Sequence, residues 1–135
     1  MVDLVYKVIR TAISKELAQV VSDYFLMKRQ VVTRLFDDQV LAPDNYNWGH
    51  IKGDSMVPGS YAMYGDILTE VLLKQVKPVV ELEVGQQLYE SYSYVRLYEK
   101  GATLRRHKDR GNCEYSSTIN VGGDLWPIFL EPSGL

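Results

Sequence analysis

The residues with the clearest chemical potential are a histidine and a carboxylate two positions apart, His107 and Asp109. On a β-strand, positions i and i+2 project from the same face, so a strand here would present both side chains together. One His and one carboxylate, completed by a second His from elsewhere, form the facial triad of non-haem Fe(II) oxygenases. The same spacing is also typical of an ordinary surface ion pair.

The residues around this pair give it a context. The segment Tyr98-Glu-Lys-Gly101 precedes His107 and Asp109, and the later stretch through Trp126 and Pro127 is rich in strand-forming residues. With these features the chain resembles the double-stranded β-helix dioxygenases that use Fe(II) and 2-oxoglutarate, in the prolyl 4-hydroxylase-like branch of marine phage and bacterial type. In that branch a strand ends in a Tyr-x-x-Gly turn, and His-x-Asp follows on the next strand.

The resemblance implies a role for each matching residue. His107 and Asp109 would be two of the three iron ligands. Tyr98 would hydrogen-bond 2-oxoglutarate, and Asn120 falls near a second pocket tyrosine of the family, although the residue type differs. The implied activity is that of an oxidoreductase: oxidative decarboxylation of 2-oxoglutarate by O2 at Fe(II), coupled to hydroxylation of a peptide or small-molecule substrate, including prolyl residues.

Two residues of the family pattern have no counterpart in the chain. The resemblance predicts a distal His as third iron ligand and an Arg or Lys for the far carboxylate of 2-oxoglutarate, but no His, Lys or Arg follows Arg110. The other histidine, His50, lies in a predicted loop and is not expected at the iron. We therefore expect the first half of a double-stranded β-helix, as a truncated reading frame, an excised fragment or one half of an assembly.

The alternative function is a non-catalytic relative that keeps the scaffold and binds a partner. An incomplete sheet leaves backbone groups unpaired at its edge, which favours self-association through that edge. The two interpretations differ in a simple property, because only an oxygenase should bind Fe(II) and 2-oxoglutarate together.

Further side chains near the pair extend the predicted pocket. Strand alternation places Tyr94 and Arg96 on the face of Tyr98, where they are expected to line the pocket mouth. A basic cluster surrounds His-x-Asp. Its members favour a solvated rim, with steering of anionic 2-oxoglutarate or an acidic substrate as the alternative; they are Arg105, Arg106, Lys108 and Arg110.

The first part of the chain must supply the support for this site. Residues 2–9 alternate loosely and predict a short strand. Apolar residues then recur at helical spacing behind a capping Ser14, which predicts an amphipathic helix over 15–36. The stretch 37–60 holds two prolines and three glycines without periodicity, and therefore predicts a long loop.

A second helix is expected to begin near Ser60, to be kinked or interrupted at Pro78 and to end near Gly85. After Gly85 the chain becomes rich in Tyr, Val, Ile and Thr between turn residues, which predicts four short strands. These predicted strands lie in residues 91–101, 102–107, 114–123 and 126–131.

Helices followed by strands indicate an α+β fold, with N-terminal helices packed on an antiparallel sheet. The resemblance makes that sheet part of a double-stranded β-helix of the jelly-roll or cupin-like kind. We expect one domain over 1–135, with a helical support over 1–90 and an incomplete set of β-helix strands over 91–135.

Composition and net charge limit the classes of partner that are expected. Hydrophobic residues form 46% and charged residues 24% of the chain, which is typical of a soluble globular domain. The net charge of -2 gives no general basic field, so neither nucleic acid nor a membrane is expected as a partner. The single Cys113 excludes a disulfide within the chain and is consistent with the expected cytoplasmic location.

Overall fold

The described residues form an α+β architecture, with two helices and a two-stranded antiparallel sheet in the order helix, strand, helix, strand. The structure is a computed structural model and describes residues 6–133. The elements are α1 (Lys15–Asp37), β1 (Ala62–Tyr64), α2 (Ile67–Val84) and β2 (Tyr94–Arg96).

Helix α1 confirms the predicted amphipathic helix. Its N-cap Ser14 accepts a hydrogen bond from the backbone N–H of Leu17 at 3.1 Å, and this satisfies one of the donors left free in the first turn. The helix buries Val21, Phe25 and Val32, which lie on one side of it, so burial of a single apolar face stabilises the element.

The prediction that a second helix begins near Ser60 was wrong, because residues 62–64 form β1 and α2 begins at Ile67. The boundary is set by Asp66, whose carboxylate caps the helix by accepting from the Leu68 N–H at 2.8 Å. The helix continues through Pro78 to Val84. Its predicted end is confirmed, because Gly85 takes the left-handed conformation with φ 73° and donates its N–H to the Glu81 carbonyl.

The sheet pairs β1 with β2 in antiparallel register, with Met63 opposite Val95 and Tyr64 opposite Tyr94. Flanking backbone hydrogen bonds join the Leu97 N–H to the Tyr61 carbonyl and the Gly65 N–H to the Ser93 carbonyl. Because side chains alternate along a strand, the sheet has two distinct faces.

One face of the sheet belongs to the core. Tyr61 and Met63 are buried together with Val21 and Phe25 of α1. Partly buried apolar side chains from α2, β2 and later segments complete this layer; they include Leu68, Leu72, Val95, Leu97 and Val121. Both helices thus contribute to one face of the sheet, as the α+β prediction requires.

Three of the four predicted strands were wrong, because residues 102–107, 114–123 and 126–131 form no strand. A high strand propensity means that the side chains of a segment fit a pleated, half-buried surface. The segment forms a strand only where a neighbouring segment pairs with its backbone. No described segment pairs with these residues. A separate strand was predicted over residues 2–9. Residues 2–5 lie outside the described part of the chain, and residues 6–9 have no regular structure.

The described residues include no helix long and apolar enough to cross a membrane.

The cap of α2 gives a test of this packing. The Asp66 carboxylate is 2% exposed and also accepts from the Tyr24 hydroxyl at 3.0 Å and from the Lys28 ammonium. Because Asp66→Ala leaves that ammonium unpaired in a site only 15% exposed, we expect it to lower the free energy of unfolding by about 3–5 kcal/mol. The exposed cap variant Ser14→Ala should cost only about 1 kcal/mol in the same urea titration. Equal losses would contradict the role given to Asp66.

Candidate functional site

The side of the sheet away from the helices carries a row of aromatic and charged side chains, which we call the open face: Tyr64, Tyr92, Tyr94, Arg96 and Tyr98. The Tyr64 and Tyr92 rings stack with centroids 5.1 Å apart, and Tyr94 lies edge-on to Tyr64 at 6.4 Å. The Arg96 guanidinium lies over the Tyr94 ring at 4.7 Å from its centroid. A polar, aromatic face opposite a packed one is the surface on which a ligand could be bound.

A carboxylate from the long loop is fixed on this face. Asp54 accepts from the Arg96 guanidinium at 2.8 Å and from the Tyr94 hydroxyl. It also accepts from the backbone N–H groups of Met56 and Val57, each at 2.9 Å. We call this arrangement the Asp54 clamp, because it ties the loop over 37–60 to β2.

The turn that presents Asp54 depends on a glycine. Gly53 has φ 77°, and a Cβ at this position would lie 2.3 Å from the Val57 carbonyl oxygen. A side chain is therefore excluded both by the backbone conformation and by the space available. The local sequence thus places the carboxylate, while its charged partner comes from β2.

Electrostatics in the clamp follow from its burial and its hydrogen bonds. Burial alone would raise the pKa of Asp54, but the hydrogen bonds from Tyr94, Arg96 and Val57 outweigh it and hold the pKa far below its ordinary value. Burial and the hydrogen bond to this carboxylate raise the pKa of Tyr94 to about 12. The clamp is therefore a carboxylate, a neutral phenol and a guanidinium over the whole neutral pH range.

Tyr98 lies at the end of this row. Its ring meets Trp126 edge to face, with centroids 4.3 Å apart and an interplanar angle of 81°. Burial disfavours the charged form of Arg96 and on its own would lower its pKa. The carboxylate of Asp54 and a hydrogen bond with the Tyr98 side chain outweigh burial, so the pKa of Arg96 is raised. Tyr98 is 38% exposed, so its side chain remains accessible to a bound molecule.

The structure brings His107 and Asp109 together. The His107 Nε2 atom lies 3.5 Å from the Asp109 Oδ1 atom, although the segment that carries them has no regular secondary structure. Two ligands of one ion with bonds of about 2.1 Å lie roughly 3–3.5 Å apart, so this separation suits a shared metal ion. It suits an ion pair with a protonated imidazole equally well.

The other ring nitrogen of His107 has a backbone partner. Its Nδ1 atom lies 2.8 Å from the Arg105 carbonyl oxygen, which can only accept a hydrogen bond. When Nδ1–H donates to that carbonyl in the neutral ring, Nε2 carries the lone pair and faces the Asp109 carboxylate. In metal sites, a hydrogen bond from the second ring nitrogen to a carbonyl or carboxylate orients the histidine that binds the metal.

The pair lies beside the open face. A hydrogen bond with Cys113, burial and the charge of Asp109 raise the pKa of Tyr92, while Arg110 opposes the rise. The Arg110 guanidinium lies over the Tyr92 ring at 5.5 Å from its centroid. The rest of the predicted basic cluster, Arg105, Arg106 and Lys108, is exposed to solvent.

A complete facial triad is not formed among the described residues, because no group of three or more His, Cys, Asp or Glu side chains could hold a metal ion there. His50 pairs its backbone with Ala62 and stacks its ring on Tyr46 at 4.4 Å. Asn120 is exposed, and its side-chain oxygen accepts from the Gly122 N–H at 3.0 Å within its own turn. Its assignment to the co-substrate pocket stays a prediction.

Asp54 was not predicted as a site residue from the sequence. The pattern Gly-Asp-Ser indicates a turn, and the hydrogen bonds to Met56 and Val57 are the local part of its environment. Its partners Tyr94 and Arg96 lie about 40 positions later, and only the folded sheet brings them to it.

Comparison of the chain with protein-family models, with curated proteins and with solved structures gives no match. The resemblance to the dioxygenases therefore depends on the motif residues quoted above.

The clamp predicts a characteristic pH dependence of stability. Asp54→Ala leaves the Arg96 guanidinium unpaired at 17% exposure, so we expect a loss of about 3–5 kcal/mol in the free energy of unfolding at pH 7. Because the folded-state pKa of Asp54 is depressed, its contribution is complete above the unfolded value near 3.9 and is lost only as the pH falls below it.

Urea unfolding of both proteins between pH 7 and pH 2 measures this difference. The exposed pair of Arg34 and Asp38 supplies the control, and Asp38→Ala should cost no more than about 0.5 kcal/mol at any pH. A wild-type advantage over Asp54→Ala that disappears already near pH 6 would contradict the clamp.

Proposed function

We propose that the protein is a cytoplasmic oxygenase dependent on Fe(II) and 2-oxoglutarate, with His107 and Asp109 as two of its iron ligands. The observation that carries this proposal is the approach of the His107 Nε2 atom to the Asp109 Oδ1 atom, 3.5 Å apart, beside the open face. The third ligand and the partner of the far carboxylate would come from residues that join this pair in the active assembly.

The donor chemistry of the pair fits iron. An imidazole nitrogen and a carboxylate oxygen are two of the three protein ligands that non-haem Fe(II) sites use. The Arg105 carbonyl, 2.8 Å from Nδ1, would hold the imidazole with Nε2 directed at the metal. When bound, Fe(II) with 2-oxoglutarate and O2 supplies the oxidising power that hydroxylates a C–H bond.

The neighbouring side chains have supporting roles in this proposal. The Tyr98 hydroxyl would donate a hydrogen bond to an oxygen of 2-oxoglutarate, since a hydrogen bond to an anion is stronger than one between neutral groups. Arg96 stays paired with the Asp54 carboxylate and would keep the end of β2 rigid next to Tyr98. The exposed basic cluster would attract the dicarboxylate as it approaches.

The fold proposed for the active enzyme is a double-stranded β-helix. The helices cover one face of the β1–β2 sheet. The open face would line the interior of the β-helix once further strands pair with the edges of the sheet. A peptide containing prolyl residues, or a small molecule, would be bound over Tyr64 and Tyr92. The exposed Tyr64 ring and the half-buried Tyr92 ring can contact apolar parts of a substrate.

The alternative function is a scaffold that binds a partner without catalysis. It is favoured by one observation, namely that the described residues contain only two members of the expected triad in contact. In this case the pair would be an ion pair with a protonated His107, and the exposed surfaces would serve a protein partner.

Anaerobic titration with Fe(II) and 2-oxoglutarate tests the proposal. Chelation of protein-bound iron by the keto acid gives a visible charge-transfer band, which we expect with the wild-type protein. His107→Ala should abolish the band, because it removes a metal ligand, whereas His50→Ala should leave it unchanged. No band with the wild type, or a band that persists in His107→Ala, would contradict the proposed iron site.

The role of Tyr98 is tested separately, with the same band as the readout. Tyr98→Phe keeps the ring that packs on Trp126 and removes only the hydroxyl. Since a hydrogen bond to a charged group contributes about 1.5–3 kcal/mol, we expect roughly 10- to 100-fold weaker binding of 2-oxoglutarate. Tyr115→Phe is the matched control, and its affinity should equal that of the wild type.

A further inference from the structure

The outer edge of β2 is open. The Leu97 N–H donates to the Tyr61 carbonyl and the Gly65 N–H donates to the Ser93 carbonyl. The alternating residues Tyr94 and Arg96 therefore direct their N–H and C=O groups to the other side. Among residues 6–133, no backbone hydrogen bond joins this side of β2 to another segment. Such an edge is a template for an added strand.

The chain also holds an exposed apolar segment. The segment runs from Leu125 to Leu130, and its exposed fractions are 96% for Leu125, 61% for Ile128 and 87% for Phe129. It has no regular secondary structure, although its composition suits a strand. Contiguous apolar surface of this kind is uncommon on a monomeric soluble protein and marks an interaction site.

We propose that two copies of the chain exchange these segments, with residues 125–130 of one copy paired to the β2 edge of the other. Both elements lie at the same end of the molecule, because Trp126 packs against Tyr98 just after β2. A two-fold axis at this end brings each segment onto the opposite edge, and the contact is therefore self-complementary and closed.

The sequence of the segment fixes its register on the edge. Pro127 has no N–H, so it must face away from β2, as proline does on an edge strand. Strand alternation then directs the backbone groups of Trp126, Ile128 and Leu130 toward Tyr94 and Arg96. Phe129 shares the orientation of Pro127, and its N–H makes no hydrogen bond to the partner's edge.

The area is sufficient for a stable dimer. A large aromatic side chain buries on the order of 150–250 Å² when it is covered. Two segments, each with two aromatic and three aliphatic side chains, together with the two strand edges reach the order of 1,200 Å² that specific interfaces bury. The exchange would cover both β2 edges, and Pro127 on the outer side of each added strand would limit further pairing.

Sedimentation equilibrium of the whole chain over a range of micromolar concentrations, together with amide hydrogen exchange, tests the exchange. We expect a discrete dimer in which the Tyr94 and Arg96 amides exchange slowly, and dilution to the monomer should remove that protection. Ile128→Pro removes an N–H that faces the partner's edge, so it should weaken dimerisation at least about tenfold. Phe129→Pro is the matched control for proline itself and should weaken it less.

Three results would overturn the proposal. The first is a monomer at all concentrations. The second is a dimer in which Tyr94 and Arg96 remain unprotected and Ile128→Pro has no effect, which would place the interface elsewhere. The third is a polydisperse aggregate, because a reciprocal exchange produces only a closed pair. None of these results depends on whether the chain binds iron.

Discussion

The pairing of β1 with β2 is the contact on which the rest of the structure depends. It joins two segments about 30 positions apart and fixes which side chains face the helices. Tyr61, Met63 and Val95 then close the core against α1 and α2. The same register sends Tyr64 and Tyr94 to the other side, so a single pairing creates both the buried layer and the open face.

The Asp54 clamp extends this order to the long loop. A loop of more than twenty residues loses much conformational entropy when it is fixed. Burial of Val57 and packing of Ile51 on the core offset this loss. A carboxylate held by a guanidinium, a phenol and two backbone N–H groups adds a specific attachment. Because both charges are largely buried, the attachment also specifies one arrangement of Arg96 on the open face.

The sequence predicted those features that depend on local patterns. Helix α1 was predicted correctly because its apolar residues repeat at the helical period and are buried on one side. The end of α2 at Gly85 was predicted correctly because the left-handed conformation at a helix end favours glycine. The start of α2 was misplaced because Tyr61 and Met63 are apolar residues whose spacing did not exclude a helix. Their alternation becomes meaningful only when the partner strand is known.

Non-local pairing explains the remaining differences. Residues 102–131 have the composition of strands, but composition does not specify a neighbour, and none of the described segments pairs with them. In the candidate site, the alternation rule correctly placed Tyr94 and Arg96 on one face. Asp54 was not predicted because its partners are distant in sequence. The approach of His107 to Asp109 was expected from a strand, yet it occurs on an irregular segment.

The most direct test of a metal site at this pair is paramagnetic broadening of backbone amide signals by Mn²⁺, an ion that accepts carboxylate and imidazole ligands. The proposed site predicts that the amides of residues 107–109 broaden first. In His107→Ala this selective broadening should be lost. Broadening centred on another acidic surface, or unchanged in the variant, would contradict a metal site at His107 and Asp109.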